Sequence, residues 1–542
     1  MTWLVRQRAQ WGQASVEKML GALPVVAGFC SRLRIRELVD MACPVRDTAG
    51  LTHGQVIEVL VANRLTSPAP LVHVQDWARA WAVEEAFGIE PDLLNDDRIG
   101  RALDAIAPHL DQLAGSVGLA AIEAFGIDVT RLHWDMTSIS LHGDYEQADP
   151  EFARPRFGHP KDRRPDLKQI QAGIAVSSDG AIPVFHRAYD GAAGEVGQVI
   201  GAMQALQRLA GPQRVLMVGD SKLISYANLA AMTAGGVAFI APASKQYVSA
   251  ATLAGQDLAT TVAVEHTAGR DAGKPAARRG AWQVREDTMT LAGPRKKDPV
   301  LALRRIFVHS SARAQAAVTA RAKKLERARD DLAWLERGLG GRHYPDEPAV
   351  AGRITAIGRA RRVSAYLTAE TGTDPITGKP TLNWHFDQHA LDAEAATDGW
   401  YALLTNLEPG QADAEQVLIH YKGQEAVERR YQAFKGPLAL TSLYLKNNRR
   451  IAALITVICL ALLIFCLIER QVRDALTACG ATKIAGLYAG RPAVPTGKLI
   501  LDALAGIRLI PGTGQSPPTI PQPTDLQLHL LDLLKVDPRD LR

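Results

Sequence analysis

Cysteine is scarce in this 542-residue chain, and the few cysteines present form no pairing pattern. The five are Cys30, Cys43, Cys459, Cys466 and Cys479, an odd number without any C-x-x-C pair. Disulfide frameworks and structural zinc sites normally show cysteines paired at short spacings. The pattern excludes both kinds of site and predicts buried thiols in a reducing compartment.

Several motifs that define other enzyme classes are also missing. The sequence contains no Walker A loop, no H-E-x-x-H, no G-x-S-x-G and no dinucleotide-binding G-x-G-x-x-G. These absences argue against P-loop nucleotide hydrolases, zinc proteases of that type, α/β-hydrolases and Rossmann oxidoreductases. The first residues, MTWLVRQRAQWGQ, lack an apolar stretch, so no secretory signal is expected.

Positive charge is in small excess and is clustered. The net charge is +5 and the isoelectric point is about 8.9. One cluster lies between residues 154 and 168 and another between residues 321 and 329. Clusters of this kind permit contacts with nucleic-acid phosphates, although a single basic run more often marks a solvated face.

One long apolar run, residues 451–468, requires a choice between membrane and core. It has 18 residues, of which only Thr456 is polar, and this length is at the lower limit for a membrane-spanning helix. It is the only such run, and it directly follows a candidate catalytic helix. We therefore expect a buried core helix in a cytoplasmic protein, with a membrane anchor as the alternative.

The hydrophobic pattern changes near residue 130. Residues 1–125 show no strand-like alternation and predict short helices, which are compatible with a helix-turn-helix reader of DNA and equally with any small helical bundle. Beyond them, alternation of period two and short apolar runs predict strands. These are at 131–138, 169–177, 181–189, 214–219 and 237–241, with helices at 195–209 and 228–232. Three meandering strands followed by β-α units predict an α/β fold with a ribonuclease-H-like core.

A large mixed insertion is expected to interrupt this core. Strand-like pieces at 260–266, 281–291 and 303–309 precede two helical stretches, 313–337 and 349–368, which predict a helical hairpin. A strand-like stretch at 400–406 follows, and the chain then becomes helical from 412 to 435. The expected domains are the end-binding region (1–125), the first part of the core (126–243), the insertion (244–410), the second part of the core with the catalytic and buried helices (411–475), and a loop-rich tail (476–542).

Three carboxylates stand out in this arrangement. Asp135 lies in the middle of a strand, where an unpaired carboxylate would cost several kcal/mol. Asp220 follows the apolar run RVLMVG, at the end of a buried strand, where ligands of α/β sheets bind. The alternative for Asp135 is a salt bridge or a position at the sheet edge, and the alternative for Asp220 is a helix N-cap. The third carboxylate, Glu428, lies on the predicted helix, where its offsets from Tyr421, Gln424 and Lys435 predict one polar stripe.

Two aspartates on adjacent strands and a glutamate on a packed helix suit one kind of chemistry. Cleavage of a phosphodiester needs an activated water and stabilisation of the leaving 3′ oxygen. Two Mg²⁺ ions about 3.5–4 Å apart provide both, and such hard cations need oxygen ligands. We therefore expect Asp135, Asp220 and Glu428 to bind two Mg²⁺ ions, with Mn²⁺ as a substitute.

At these residues the chain resembles the bacterial insertion-sequence DDE transposases, in particular the group marked by Y-x2-R-x3-E-x6-K. Tyr421, Glu428 and Lys435 match this pattern, and Gln424 stands where the group has arginine. Further stretches resemble one subgroup in the same order. They are NDDRIGRALD, LHWDMTSISLHGDY, GHPKDRRPDLKQI and DGWYALLTN, and the resemblance covers roughly residues 20–510.

The resemblance implies cleavage at the element's ends followed by strand transfer of the freed 3′ hydroxyl into target DNA. Its partners would be double-stranded DNA, both terminal inverted repeats and target, and at least a dimer would form on DNA. Tyr421, Gln424 and Lys435 would contact phosphate at the element end. Further DNA contacts are expected from Arg163, Arg164 and Lys168 in the motif GHPKDRRPDLKQI.

Two other functions remain open. A catalytically inactive or repurposed transposase that only binds DNA is favoured by Gln424, because the group's arginine is missing there. A different ribonuclease-H-like nuclease would leave the spacing of Tyr421, Glu428 and Lys435 unexplained.

Overall fold

The structure is a computed structural model that describes residues 17–46, 49–146, 148–161, 163–268, 271, 273–438, 445–512 and 516–541. The N-terminal segment considered for a secretory signal lies in residues 1–16, outside the described residues, as does the start of the expected end-binding region. Two compact units form. The first consists of Met1–Met217 and Gln424–Arg542, and the second of Val218–Gly423.

The described residues of the first unit between 17 and 125 are mainly helical, and a mixed α/β layer follows them. A short strand and seven helices come first: β1 (Lys18–Met19), α1 (Leu23–Arg32), α2 (Ile35–Ala42), α3 (His53–Thr66), α4 (Val74–Ala80), α5 (Val83–Phe87), α6 (Asp96–Ile106) and α7 (Leu110–Phe125). The following elements are β2 (Arg131–Leu141), β3 (Lys168–Ser177), β4 (Pro183–Tyr189), α8 (Glu195–Ala210) and β5 (Leu216–Val218). The expected order of strands and helix is confirmed.

The second unit is also mixed α/β and includes a helical hairpin. Its elements are α9 (Tyr226–Ala234), β6 (Ala238–Pro242), α10 (Ala250–Ala254), β7 (Val262–Val264), β8 (Trp282–Leu291), β9 (Leu301–Ser310), α11 (Ser311–Arg337), α12 (Glu347–Arg361), β10 (Leu367–Thr373), β11 (Pro380–Phe386), α13 (Gln388–Ala395), β12 (Trp400–Thr405) and α14 (Ala414–Lys422). Strands β6, β12, β9, β8 and β7 lie side by side and pair antiparallel.

The chain then returns to the first unit. Its last elements are α15 (Glu425–Lys435), α16 (Asn448–Ala478), β13 (Ile484–Tyr488), β14 (Arg491–Ala493), α17 (Gly497–Leu504), β15 (Arg508–Leu509) and α18 (Asp525–Leu534). Residues 476–542 thus contain more regular structure than the loop-rich tail expected from their composition. The apolar side chains Leu504, Leu530 and Leu534 of α17 and α18 are buried, which explains why these helices form.

Strand β2 occupies the centre of the first unit's sheet. It pairs antiparallel with β3, with Asp135 opposite Ile174, and β3 pairs antiparallel with β4. On the other side of β2, the amide of Leu216 in β5 donates to the carbonyl oxygen of Thr130, 2.8 Å away. A central strand is paired along both edges, so its side chains point to the two faces of the sheet.

Two expectations about helices were wrong. The second helix of the hairpin ends at Arg361, because Arg362 adopts a left-handed backbone (φ 56°), and residues beyond it form β10, which pairs with β11. The single helix expected from 412 to 435 is two helices, α14 and α15, separated at Gly423 and Gln424. Glycine is a weak helix former, so a break there has little cost.

The apolar run forms the middle of α16 and is buried. Among the residues that the structure describes, α16 is the one helix long and apolar enough to cross a membrane by length and composition. Its most apolar window of 18 residues is entirely buried within the protein. This is the environment of a core helix, as expected from the sequence.

Candidate active site

The carboxylate of Asp135 lies on β2 and is paired. Its Oδ1 accepts a hydrogen bond from the amide of Met136 at 2.7 Å and lies 3.2 Å from the Nζ of Lys161. The Asp135 side chain is 15% exposed. Pairing with an ammonium group offsets the cost of placing this carboxylate in a central strand.

The same ammonium group also contacts a second carboxylate that sequence reasoning missed. Lys161 Nζ lies 3.7 Å from Oε1 of Glu195, the first residue of α8, and this side chain is also 15% exposed. Glutamate is common in the first turn of a helix, because its negative charge interacts favourably with the helix dipole. Nothing in the sequence therefore indicates that Glu195 belongs to the site. The carboxylates of Asp135 and Glu195 thus both lie next to the ammonium group of Lys161.

Helix α15, which carries Glu428, packs directly on β2. The hydroxyl of Tyr431 donates to the carbonyl oxygen of Asp135 at 2.6 Å and contacts that of Ala172 at 3.3 Å. Burial, with the charge of Asp135 as the next cause, raises the pKa of Tyr431 well above its ordinary value. The phenol therefore remains a neutral donor that fixes the helix to the strand.

Gln424 precedes α15 and contacts the same strand. Its Nε2 donates to the carbonyl oxygen of Trp134 at 3.1 Å, and its Oε1 lies 3.2 Å from Nδ1 of His133. Both amide atoms thus contact β2, one strand position from Asp135. This residue was expected to bind DNA phosphate, and in this structure its contacts are with the strand.

Arg430 anchors the other side of α15. Its guanidinium donates to the carbonyl oxygens of Gly180 (2.6 Å) and Ala181 (3.0 Å), in the turn between β3 and β4. It also lies 3.1 Å from Oε1 of Glu469 on α16. These contacts fix α15 between the sheet and the core helix.

Glu428 itself is exposed on α15, one turn before Tyr431, while Lys435 at the end of the helix is half-buried. In the described part of the chain, no three His, Cys, Asp or Glu side chains are grouped closely enough to hold a metal ion. The available ligands nevertheless suit Mg²⁺, because carboxylate oxygens of Asp135 and Glu195 lie around one position. In this structure the ammonium group of Lys161 occupies the position that a metal ion would take.

Asp220 and Tyr421 belong to the second unit. Asp220 follows β5 by two residues and caps the short turn Ser221–Leu223, accepting from the amide of Lys222 at 2.9 Å. Its N-cap role is therefore present in the structure. Tyr421 lies on α14 with its ring centre 6.5 Å from that of Tyr401.

Of the three basic residues expected to bind DNA, Arg163 and Arg164 lie on the loop before β3 and Lys168 is the first residue of β3. Arg163 and Arg164 are exposed, and Arg164 forms an ion pair with Asp166 at 2.7 Å. Lys168 donates to the carbonyl oxygen of Asp144, and its Nζ lies 5.8 Å from the ring centre of Phe157. The exposed guanidinium groups are accessible to a polyanion.

Comparison with known proteins gives a family match and matches to solved structures. Residues 15–112 match a family described as a domain of unknown function, DUF4277. The chain is also similar to a piggyBac transposase synaptic complex with hairpin DNA, determined by cryo-electron microscopy, with a TM-score of 0.38 and 8% identity over 88% of this chain and 79% of that one. No curated protein matches. The matched family domain ends before β2, so it contains none of the candidate carboxylates.

Proposed function

We propose that this chain is a metal-dependent DDE transposase of the bacterial insertion-sequence group marked by Y-x2-R-x3-E-x6-K. Its catalytic carboxylates would be Asp135, Asp220 and Glu428. The observation that carries the proposal is the contact between α15 and β2, in which Tyr431 binds the carbonyl oxygen of Asp135 at 2.6 Å. Through it, a helix bearing one candidate carboxylate lies against the strand bearing another, although the two are distant in sequence.

The order of elements in the first unit supports a ribonuclease-H-like core. Three antiparallel strands, β2 to β4, are followed by α8 and then by β5, whose Leu216 bonds beside the start of β2. The second unit, with its strands and helical hairpin, is inserted before α15. The insertion expected from the resemblance, residues 244–410, lies within this unit.

The reaction would be two successive in-line displacements at phosphorus. Bound Mg²⁺ or Mn²⁺ would supply activation of the attacking oxygen and stabilisation of the leaving 3′ oxygen. Asp135, Asp220 and Glu428 would hold the ions. Water first attacks the phosphorus at an element end, the bond to the 3′ oxygen breaks, and that oxygen takes a proton. The freed 3′ hydroxyl then attacks a target phosphorus and loses its proton, while the bond from that phosphorus to the target's own 3′ oxygen breaks and that oxygen takes a proton. One phosphodiester thus replaces another without nucleotide hydrolysis.

The partners would be the terminal inverted repeats and target DNA. Helices α1 to α7 would recognise the ends, and the exposed Arg163 and Arg164 would contact phosphate. Tyr421, Gln424 and Lys435 would be further contacts to the element end, for which the side chain of Gln424 would have to leave β2. Concerted cutting of two ends implies at least a dimer on DNA, in the cytoplasm at the nucleoid.

A DNA-binding protein without catalysis is the second candidate function. It is favoured by Gln424, which replaces the arginine of the group and contacts Trp134 and His133 rather than standing free. In this case the N-terminal helices would bind end DNA, and the carboxylates would serve only as structural partners.

Cleavage of end DNA by the full-length chain distinguishes the two. Asp135→Asn, Asp220→Asn and Glu428→Gln should each lower cleavage by several orders of magnitude and leave binding to end DNA intact. Their losses should not add, because the three would act as one unit. Asp144→Asn, a change at an exposed aspartate near β2, is the matched control and should cleave normally. Normal cleavage by all three variants would refute the transposase mechanism. Specific binding without cleavage by the wild-type chain would support the second function.

A further inference from the structure

Lys161 lies where its ammonium group joins two carboxylates of the candidate active site. Its Nζ is 3.2 Å from Asp135 Oδ1 and 3.7 Å from Glu195 Oε1, and it also donates to the carbonyl oxygen of Met136. We propose that Lys161 is an exchangeable counter-cation that positions Asp135 and Glu195 in the metal-free protein and gives up this place to a divalent ion. The proposal rests on the proposed function, because that function supplies the reason for a metal ion at Asp135.

The backbone of Lys161 is fixed while its ammonium group is free to leave. The amide of Lys161 donates to the Oγ of Ser138 at 2.8 Å, and Ser138 is fully buried on β2. The side chain, in contrast, is 44% exposed. A lysine ammonium is a strongly hydrated point charge on a flexible stem of four carbons, so water can solvate it once a divalent ion has taken its place between the carboxylates. An arginine would bind a carboxylate through two parallel hydrogen bonds and would be harder to displace.

The partial exposure of Lys161, Asp135 and Glu195 to solvent supports replacement of the ammonium group by a metal ion rather than a permanent ion pair. Asp135 and Glu195 are each 15% exposed and belong to different elements, β2 and α8. With no cation between them, two half-buried carboxylates converging on one position repel each other. A divalent ion neutralises both and binds oxygen ligands more strongly than an ammonium does. Removal of the lysine charge should therefore raise the affinity of this position for a divalent cation.

The other basic residues of the same loop are not equivalent. Lys168 contacts the carbonyl oxygen of Asp144, and Arg164 is paired with Asp166. Neither of these contacts involves the carboxylates of Asp135 or Glu195. Lys168 is therefore a matched control, since its replacement removes the same charge from the same loop.

The experiment measures binding of Mn²⁺ alone to the full-length protein by isothermal titration calorimetry, without DNA. Lys161→Met, which retains most of the apolar stem, should bind Mn²⁺ five- to tenfold more tightly than wild type. Lys161→Arg should bind it no more tightly than wild type, and Lys168→Met should be unchanged. In the double variant Lys161→Met, Glu195→Gln, the gain should be lost, because one of the two carboxylates is neutral.

A second readout is thermal unfolding in EDTA and in Mn²⁺. The midpoint of Lys161→Met should fall in EDTA and recover in Mn²⁺, whereas that of Lys168→Met should change little in either. Equal Mn²⁺ affinity for Lys161→Met and Lys168→Met would overturn the proposal, and so would a gain that survives Glu195→Gln. Neither measurement uses cleavage, so the proposed function can fail in the DNA assay while this exchange is upheld.

Discussion

Replacement of Arg430 by alanine should destabilise the first unit strongly, because this side chain is a buried cation with three partners. Arg430 is 7% exposed and Glu469 is 5% exposed. Breaking a buried ion pair by removing one partner typically costs about 3–5 kcal/mol. Glu469 retains Arg473 at 2.9 Å and the amide of Gly497 at 2.9 Å, which places the expected cost near the lower end, about 3 kcal/mol.

The measurement is urea unfolding followed by far-ultraviolet circular dichroism, with Arg429→Ala as the control. Arg429 precedes Arg430 on α15 and is exposed, so its loss should change the unfolding free energy by at most about 0.5 kcal/mol. The double variant Arg430→Met, Glu469→Gln leaves no unpaired buried charge at this pair. It should recover part of the loss, since apolar replacements of buried ion pairs are often tolerated.

The same variants test whether Arg430 positions Glu428. In buffer without urea, under conditions in which Arg430→Ala remains folded, this variant should still cleave end DNA less than wild type does. The reason is that α15 loses its hydrogen bonds to the turn at Gly180 and Ala181. If Arg430→Ala costs no more than Arg429→Ala, the anchoring role derived from these contacts is wrong.

Two further predictions concern the core of the first unit. Burial lowers the pKa of His186 to about 4, so its unfolded form takes up a proton as the pH falls below about 6.5 while the folded form does not. The stability this residue contributes is complete above pH 6.5 and is lost as the pH falls towards 4. Between pH 7 and pH 5, the unfolding free energy of wild type, measured with urea, should therefore fall by about 2 kcal/mol more than that of His186→Gln. The control His343→Gln, at an exposed position, should behave as wild type. Leu460→Asp places a charge in α16 at a position only 3% exposed, and it should lower the unfolding free energy by several kcal/mol or prevent folding. The control Leu528→Asp, at a position 40% exposed, should be tolerated. Equal stability of the two variants would contradict the buried position of α16.

The strands around Asp135 were predictable because their pattern is local. Period-two alternation at 169–177 corresponds to β3, Lys168–Ser177, and the expected helix at 195–209 corresponds to α8, Glu195–Ala210. A strand with one face in a core must alternate, so the sequence contains this information directly.

The contacts that hold the site together were not predictable in the same way. Gln424 and Arg430 bind backbone carbonyl oxygens of Trp134, Gly180 and Ala181. Every residue offers a carbonyl oxygen, so no pattern of residue types marks these partners. The convergence of Lys161 and Glu195 on Asp135 depends likewise on a loop and a helix start, whose positions only the tertiary structure sets.

The apolar helix α16 illustrates what composition leaves open and what the structure decides. A helix that is apolar on all sides is buried either in a large core or in a bilayer, and the charges at its two ends suit both environments. In this protein those end charges are paired within the first unit. Arg450 binds Asp104 of α6 at 2.7 Å, and Arg470 binds Asp179 of the turn between β3 and β4 at 2.8 Å. Ion pairs at both ends to elements of the same unit fix the helix along its axis, which a bilayer would not require, and so they identify α16 as the core helix onto which α15 is anchored.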